Sequence, residues 1–592
     1  MSLKNNKFFH LLPLFFIFIL AFSLRTFDLN WDSGYHLHPD ERFLTMVISA
    51  IKLPQNIFQY FDTSSSPLNP YNYPDYQFFV YGTFPIFLVK LISHLFIADT
   101  YESVYLFGRV LSALFDSVNI FVLYFLSKLI FPNSSRRFYL PGIIYALSVL
   151  PIQLSHFFAV DTFLCTLLLL TFLFLSLWLS KNEFLFLNLA ALTYGLAFAA
   201  KMSAILFFPI VFLFFIYYFF KIKKSLTLLF YSLVFAVITF TVFRIFQPYA
   251  FAGLFQINPK FTASLTQLNG ILNNRDPYYP PEIQYLSKTP ILYPLTTIVV
   301  WGFGLPFSLV LFYGLGLLLF RLPRNLKKLL FHLDLCQFLI FASAFWVIFL
   351  ICFQGLQFTN TVRYFLPVYP FLALLVGYLV SSKFISKKII IFALIFHSLY
   401  TLAFLNIYIR PHSRVDASRW IYNNIPSGSR LANEYWDDPL PLGIPEYQTV
   451  QYQNIMLPLY DSDTPEKWLS ISTTLAQTDY IIMSSNRLWG SIPPVPSRYP
   501  LTSVFYQNLF DEKIGFSKLA EFYSYPGFSL PLLKKCYYFG PSNYPYKEKR
   551  NTWFSVDKDC LYPGFYFRDD TAEEAFTVYD HPQALIYQRT NL

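Results

Sequence analysis

Charged side chains are scarce, at 13% of the 592 residues, about half the share usual in soluble domains. That shortage, beside an apolar fraction of 55%, excludes an ordinary cytosolic enzyme and excludes intrinsic disorder. Cysteine is nearly missing, with five in the whole chain, so a disulfide-built secreted scaffold is excluded too. A P-loop, a glycine-rich dinucleotide motif, zinc-finger spacing and a nucleophile elbow are all absent, which argues against an ATP-driven pump or a serine hydrolase. No internal repeat is found. What remains is apolar: mean hydropathy is +0.44. A soluble chain of this length would hold about three to five domains, but this composition is that of a polytopic membrane protein.

Charge divides the chain near residue 407. The first 406 residues hold 27 Lys and Arg against 14 Asp and Glu, and the rest hold 17 against 20. The basic surplus lies in short loops between apolar runs, so its partner is the lipid bilayer and no nucleic acid is implied. Eleven runs are near the ~20 residues needed to span a bilayer as a helix: 8–24, 104–130, 138–157, 162–180, 184–200, 203–220, 225–246, 296–320, 335–353, 364–380 and 388–406.

With the N-terminus in the cytoplasm and strict alternation, the inner loops hold sixteen basic residues and one clear acid, Glu183. They are Lys4, Lys7, Lys128, Arg136, Arg137, Lys181, Lys221, Lys223, Lys224, Arg321, Arg324, Lys327, Lys328, Lys383, Lys387 and Lys388. Retention of basic loops in the cytoplasm fixes this orientation. A twelfth stretch, 78–97, carries Lys90 and Pro85 and would invert every later loop if it crossed; it is read as lying along or dipping into the outer face. The first run has an alternative reading as a signal peptide with a small-residue site near Ala21–Ser23, which would leave ten spans.

The expected organisation is a transmembrane domain, 1–406, with long outer loops at 25–103 and 247–295, followed by an extracytoplasmic α/β domain, 407–592. In the tail the pattern predicts helices at Val415–Asn424, Pro465–Ala476 and Leu501–Phe510. It predicts strands at Arg430–Ala432, Tyr480–Met483, Phe576–Tyr579 and Ala584–Gln588. Cys536 and Cys560 lie in this tail and can pair if it is extracytoplasmic; Cys165, Cys336 and Cys352 read as packing.

Chemistry concentrates on the outer face. The first outer loop reads His36-Leu37-His38-Pro39-Asp40-Glu41-Arg42 before an amphipathic helix. Two adjacent carboxylates beside two histidines suit general-base work or metal binding; the plainer reading makes Asp40 a helix cap or first-turn acid. Asp161, after Ser155-His156 in the turn between the third and fourth spans, falls on the same face as Asp40, and its plain reading is also a cap. Arg109, Lys201, Arg244 and Arg363 face that compartment near membrane depth, where charge is costly without a partner. Together they suit a phosphate at the membrane surface; singly, each is equally a snorkelling side chain. Asp116, inside the second span, reads as a buried structural acid. Asp461-Ser462-Asp463 and Trp436-Asp437-Asp438 read as solvated loops.

These pieces, in order, carry a resemblance. His38-Pro39-Asp40-Glu41, Gly108-Arg109-Val-Leu-Ser, Ser155-His156-Phe-Phe-Ala-Val-Asp161, Ala-Lys201-Met-Ser and Arg363-Tyr-Phe-Leu-Pro resemble membrane glycosyltransferases of the C-type fold. The nearest groups are glycosyltransferase family 39, with the protein O-mannosyltransferases and the lipid A aminoarabinose transferase as relatives; uncharacterised bacterial membrane proteins with a His-Pro-Asp-Glu loop look closer still. The resemblance covers about residues 25–380 and implies inverting transfer of a sugar from a polyprenyl-phosphate carrier to an extracytoplasmic acceptor in a bacterial plasma membrane.

By that resemblance the acidic pair falls on Asp40 and Glu41, the second-loop acid on Asp161 and the phosphate-binding arginine on Arg109. Lys201, Arg244 and Arg363 are further lipid-phosphate ligands, and His36, His38 and His156 have supporting roles. Some relatives use a divalent metal ion and others none, so metal use stays open. The competing readings are a lipid or glycan transporter, which would place its charges along a path through the spans, and a non-catalytic scaffold.

Overall fold

The computed structural model describes residues 7–131, 137–222, 225–274, 277, 279–321, 333–381, 385–542, 552–558, 560 and 562–590. Of the basic loop residues, Lys4, Arg136, Lys223, Lys224, Arg324, Lys327, Lys328 and Lys383 lie outside these. The protein is a polytopic helical membrane protein followed by a mixed α/β region. All eleven apolar runs are helical, but eleven full spans are not confirmed: among the described residues seven helices are long and apolar enough to cross a membrane, eight if one bent pair counts as a span.

The shortfall has local causes. The run 138–157 is broken into Leu140–Leu147 and Val149–Ser155. Pro151 cannot donate to the carbonyl of Leu147, four residues back, and its ring excludes the regular turn there. The freed Leu147 carbonyl is taken up by Thr401 Oγ1 at 2.7 Å and His397 Nε2 at 3.0 Å from the helix Lys387–Ile409, as backbone inside a membrane protein requires. The run 296–320 bends by 117° between Leu292–Gly302 and Leu305–Leu317. Gly304 makes that corner at φ +87°, where a side chain would also strike the His397 ring. The helix Phe184–Ala200 has only 17 residues.

The stretch 78–97 forms a helix of 13 residues, Thr83–Leu95, about 20 Å long at 1.5 Å per residue and shorter than a bilayer core. Asp116 is structural, as expected: fully buried, it accepts from Arg25 Nε at 2.6 Å and from the Tyr145 hydroxyl at 2.5 Å. The same guanidinium reaches the carbonyls of Tyr145 and Ala146, closing the break beside Ser148.

In the tail the strands are β1 (Arg430–Glu434), β2 (Gln453–Leu457), β3 (Tyr480–Met483), β4 (Phe516–Phe522), β5 (Gly527–Ser529), β6 (Cys536–Phe539), β7 (Phe554–Asp557), β8 (Gly564–Phe567) and β9 (Ala584–Arg589). One mixed sheet runs β2-β1-β3-β9-β4 and a second β5-β8-β6-β7. The predicted helices and three of the four predicted strands are present. The fourth, Phe576–Tyr579, is wrong: a one-turn helix spans Glu574–Thr577, and Phe576 packs on Phe404 of the transmembrane part. A short apolar run fits either geometry, and burial decided it. Cys536 and Cys560 form a disulfide, Cys165 is buried, and Cys352 is exposed rather than packed.

The tail is anchored to the spans by a buried polar knot. His581 lies between Asp580 (Nδ1–Oδ1 2.5 Å) and Asp569 (Nε2–Oδ2 2.9 Å). Asp580 also accepts from Gln153 and Tyr408, both at 2.9 Å, on two transmembrane-region helices.

Candidate active site

The helix carrying the acidic pair runs Pro39–Ala50. Pro39 at its first position suits a helix start, and the cap is His38, whose Nδ1 accepts the Glu41 N–H at 3.3 Å; Asp40 is therefore a first-turn acid and not the cap. Asp161 likewise sits in the first turn of Val160–Lys181, whose cap position is Ala159.

Glu41 turns inward and Asp40 outward. Glu41 is fully buried and takes Arg109 through both oxygens, Oε2–Nε at 2.9 Å and Oε1–Nη2 at 2.5 Å. Asp32 holds the other edge of the same guanidinium at 2.9 and 3.1 Å, and the rings of Trp31 and Tyr105 flank it. Burial raises the Glu41 carboxyl above its ordinary value even with Arg109 opposing, whereas for Asp32 burial is outweighed by Arg109 and its carboxyl is lowered. Arg109, expected to bind a lipid phosphate, is thus saturated by two carboxylates, and Glu41, expected at the reacting centre, belongs to the same buried support. With no exposed surface and two acid partners, this guanidinium stands apart from the partly exposed charges of Asp40 and Arg363.

This support aligns two loops. Glu41 Oε2 also accepts the main-chain N–H of Phe158 at 2.7 Å, three residues before Asp161. Phe158 sits against Gly108, where any Cβ would come within 2.3 Å of its ring, so the glycine of the Gly108-Arg109 motif is a packing requirement.

Above the support, Asp40 pairs with Arg363, each about a quarter exposed at 24% of its side chain. Burial alone would raise the Asp40 carboxyl; Arg363, aided by a hydrogen bond from Tyr81, holds it down at about 2. Lys201 Nζ lies 2.7 Å from Asp161 Oδ1 and 4.7 Å from the centre of the Tyr364 ring, which also underlies Arg363. Asp40, Asp161, Lys201 and Arg363, from four separate segments, therefore form one cluster. Arg244 does not join it: its guanidinium faces the carbonyls of Pro248 and Gly253 and the rings of Phe61 and Phe251.

The three histidines named from the motifs are all buried. His38 is buried between the rings of Phe157 and Tyr579, and burial lowers it to about 4, leaving it neutral. His36 packs on Tyr101 and Tyr105. His156 meets the carbonyls of Ile152 and Phe27, both at 2.8 Å, and stacks on Tyr408. Among the described residues no three His, Cys, Asp or Glu side chains are grouped to hold a metal ion. The donor set does not fit one either, because Asp40 and Asp161 each face a cation.

Several contributors are absent from the motifs. Asp32 and Tyr81 lie in the same outer loop, and Tyr364 follows Arg363. From the tail, Glu573 Oε2 accepts the Val362 N–H at 2.6 Å, one residue before Arg363. Arg487 pairs with Glu574 at 2.7 Å, and Asp438 with Arg42 at 2.8 Å.

A groove of about 810 Å³ includes in its lining Met202, the residue after Lys201. Met202 and Phe243 line one end and Phe219 and Leu228 the other, between the helices Phe208–Ile222 and Ser225–Phe246. Its lining is almost wholly apolar.

Fold and site together define an integral membrane protein with a polar cluster and an apolar groove. Residues 84–244 match the family described as dolichyl-phosphate-mannose-protein mannosyltransferase. That match bears out the resemblance drawn from the motifs: over this segment the chain is like glycosyltransferase family 39. The segment holds Arg109, Asp161, Lys201 and Arg244 but not Asp40 or Arg363.

No curated protein sequence matches the chain. Among solved structures, it resembles the archaeal oligosaccharyltransferase AglB from Archaeoglobus fulgidus in complex with an inhibitory peptide and a dolichol-phosphate, at 13% identity, TM-score 0.49, over 85% of this chain and 72% of that one. It also resembles ArnT from Cupriavidus metallidurans bound to undecaprenyl phosphate, at 13% identity, TM-score 0.42, over 83% and 95%. A third is the Archaeoglobus fulgidus oligosaccharyltransferase in complex with Zn and sulfate, at 15% identity, TM-score 0.43, over 92% and 73%. At these values the structural likenesses carry no argument about activity.

Proposed function

We propose that the chain is an inverting membrane glycosyltransferase that moves a sugar from a polyprenyl-phosphate carrier to an acceptor on the outer face of the membrane. The observation that carries this reading is the paired cluster, two acids held by two cations, with an apolar groove able to take a lipid chain lined from Met202, the residue after Lys201. Asp40 is the general base. It takes the proton of the acceptor's nucleophile as that atom bonds to the sugar's anomeric carbon. The bond from that carbon to the phosphate oxygen breaks on the opposite side, and the electron pair leaves with the polyprenyl phosphate. Arg363 and Lys201 stabilise the charge that develops there.

With Arg363 held against it, Asp40 is a weak base. A donor phosphate that draws Arg363 away would release the carboxylate, so base strength rises when the donor is bound. Asp161 positions Lys201, and Arg109, Asp32 and Glu41 position the loop. No step is routed through a metal, and turnover is expected to survive chelation. In this reading residues 1–406 form the catalytic membrane domain with the N-terminus in the cytoplasm, and 407–592 form an outer domain against it; the sixteen basic inner-loop residues support that orientation.

The test is turnover of labelled polyprenyl-phosphate sugars in membrane vesicles, wild type against Asp40→Asn at equal expression. Release of polyprenyl phosphate with a labelled acceptor in the wild type alone is expected. Equal turnover in both would remove Asp40 from the mechanism.

A further inference from the structure

A second cavity, of about 520 Å³, lies in the tail. Its walls are the helix Ser413–Asn424, the edge strand β4 and the disulfide-bearing second sheet. It shares no lining residue with the Asp40 cluster or the apolar groove.

Its floor holds a cation in an unusual state. Arg410 is 7% exposed, and its Nε is buried with no hydrogen-bond partner among the described residues. Its one polar contact is Nη2 to Ser529 Oγ at 3.4 Å, and the guanidinium rests over the rings of Tyr566 and Tyr562 at 4.6 and 5.4 Å. Arg25, Arg109 and Arg414 are buried as deeply, and each meets a carboxylate within 2.9 Å. Among the described residues Arg410 has no such partner. A guanidinium withdrawn from water without an anion is costly to keep, and ring faces return only part of that cost. The nearby Lys518 and Glu521 pair at 2.8 Å; the lining also holds Asp416 and Asp557, and Arg410 is its one cation without a carboxylate partner among the described residues.

The rest of the lining narrows the ligand. Trp420 and Tyr538 add apolar faces to those of Tyr562 and Tyr566, and Asp416 adds an acceptor. Tyr562 and Asp416 line the same cavity, with the Arg410 guanidinium 5.4 Å from the Tyr562 ring centre. Aromatic faces that cover ring C–H groups, a carboxylate to accept hydroxyl hydrogens and a cation for an acidic group describe a sugar bearing an anion. The volume lies within the range of small-ligand sites.

We propose that this cavity binds an acidic saccharide unit, its anionic group paired with Arg410 and its ring seated on the aromatic wall. The proposal stands whether or not the Asp40 cluster transfers sugar. Arg410 directly follows the apolar helix Lys387–Ile409, so a lipid headgroup is the rival source of the anion and becomes an arm of the test.

The experiment is calorimetric titration of the full chain in neutral-detergent micelles. The probes are methyl glucuronide, methyl glucoside and inorganic phosphate, each with and without phosphatidylglycerol in the micelle. The glucuronide is expected to bind at least ~10-fold more tightly than the glucoside, as a charge-assisted pair implies. Arg410→Gln should abolish that preference, and phosphatidylglycerol should not compete. Equal affinity for the two sugars, phosphate binding as tight as the glucuronide, displacement by phosphatidylglycerol, or no binding at all would overturn the proposal. Should Arg410→Gln fail to fold, as judged by gel filtration, Trp420→Leu decides: weaker glucuronide binding supports the site and unchanged binding overturns it.

Discussion

Glu41 accepts the main-chain N–H of Phe158 at 2.7 Å, and through that bond the segment that carries the acidic pair is fixed to the turn that carries Asp161. Its neighbour Asp40 faces the other way, onto Arg363. Two adjacent carboxylates thus divide between a buried support and a partly exposed ion pair, because successive side chains on a helix point about 100° apart.

The division predicts opposite phenotypes. Asp40→Asn should fold normally and lose at least ~100-fold in turnover, the lower range for removing a general base. Glu41→Gln leaves Arg109 buried with one acid in place of two and should cost about 3–5 kcal/mol of stability, as breaking a buried ion pair does. Thermal unfolding of the purified proteins beside their vesicle activity separates the two. A Glu41→Gln protein of wild-type stability would refute the supporting role.

Glu573 reaches the same site from the tail. Its carboxylate fixes the Val362 N–H at 2.6 Å, and Arg363 is the next residue. Glu573→Gln should loosen the hold of Arg363 on Asp40, whose carboxyl now sits at about 2. The expected result is a lower kcat with KM little changed, and an acid limb of the pH–rate profile moved upward toward the ordinary carboxylate range. A fall in activity with an unmoved acid limb would mean that Glu573 only stabilises the junction.

The sequence made part of this site readable. Asp40, Asp161, Lys201 and Arg363 each stand beside a turn or helix start between apolar runs, and orientation by basic loops put them on one face before any contact was known. The pairing of Arg109 was not legible, because a cation near membrane depth looks the same in sequence whether it is free or already paired. Its partners Asp32 and Glu41 lie 77 and 68 residues away, and no local pattern reports them. The span count of eleven is not confirmed, for a related reason. Pro151 and Gly304 interrupt continuous apolar runs, and whether such a run stays straight depends on neighbours such as His397 and Thr401 that take up freed carbonyls or fill the corner.

The His581 knot predicts a pH response of the whole fold. Burial alone would disfavour the imidazolium, but Asp580 and Asp569 overcome it and raise it to about 10. A group raised this way contributes stability that is complete below about 6.5 and is lost as pH rises through about 10. Glu574, which burial pushes to about 7 despite Arg487, loses its contribution between about 4.5 and about 7, so the two windows separate. Unfolding temperature should therefore fall from pH 7 to pH 10 in the wild type. In His581→Gln it should be lower at pH 7 and nearly flat above it. A wild-type curve that is flat over that range would refute a charged His581.

The apolar groove gives the prediction that bears most directly on the donor. Ala236 and Thr239 line it midway along the helix Ser225–Phe246, far enough from Lys201 that a larger side chain there leaves the charged cluster alone. Filling the groove with Ala236→Trp removes room for a long hydrocarbon chain but not for a short one. Each methylene kept from an apolar site forfeits roughly 0.8 kcal/mol, so excluding even two raises KM by about tenfold. A long-chain polyprenyl donor should therefore show a KM at least tenfold higher with kcat retained, while a donor with a chain of one or two isoprene units, too short to reach residue 236, keeps its wild-type KM. If both donors suffer alike, the substitution has disturbed the fold. If neither does, the chain lies elsewhere and the groove is a lipid-facing cleft.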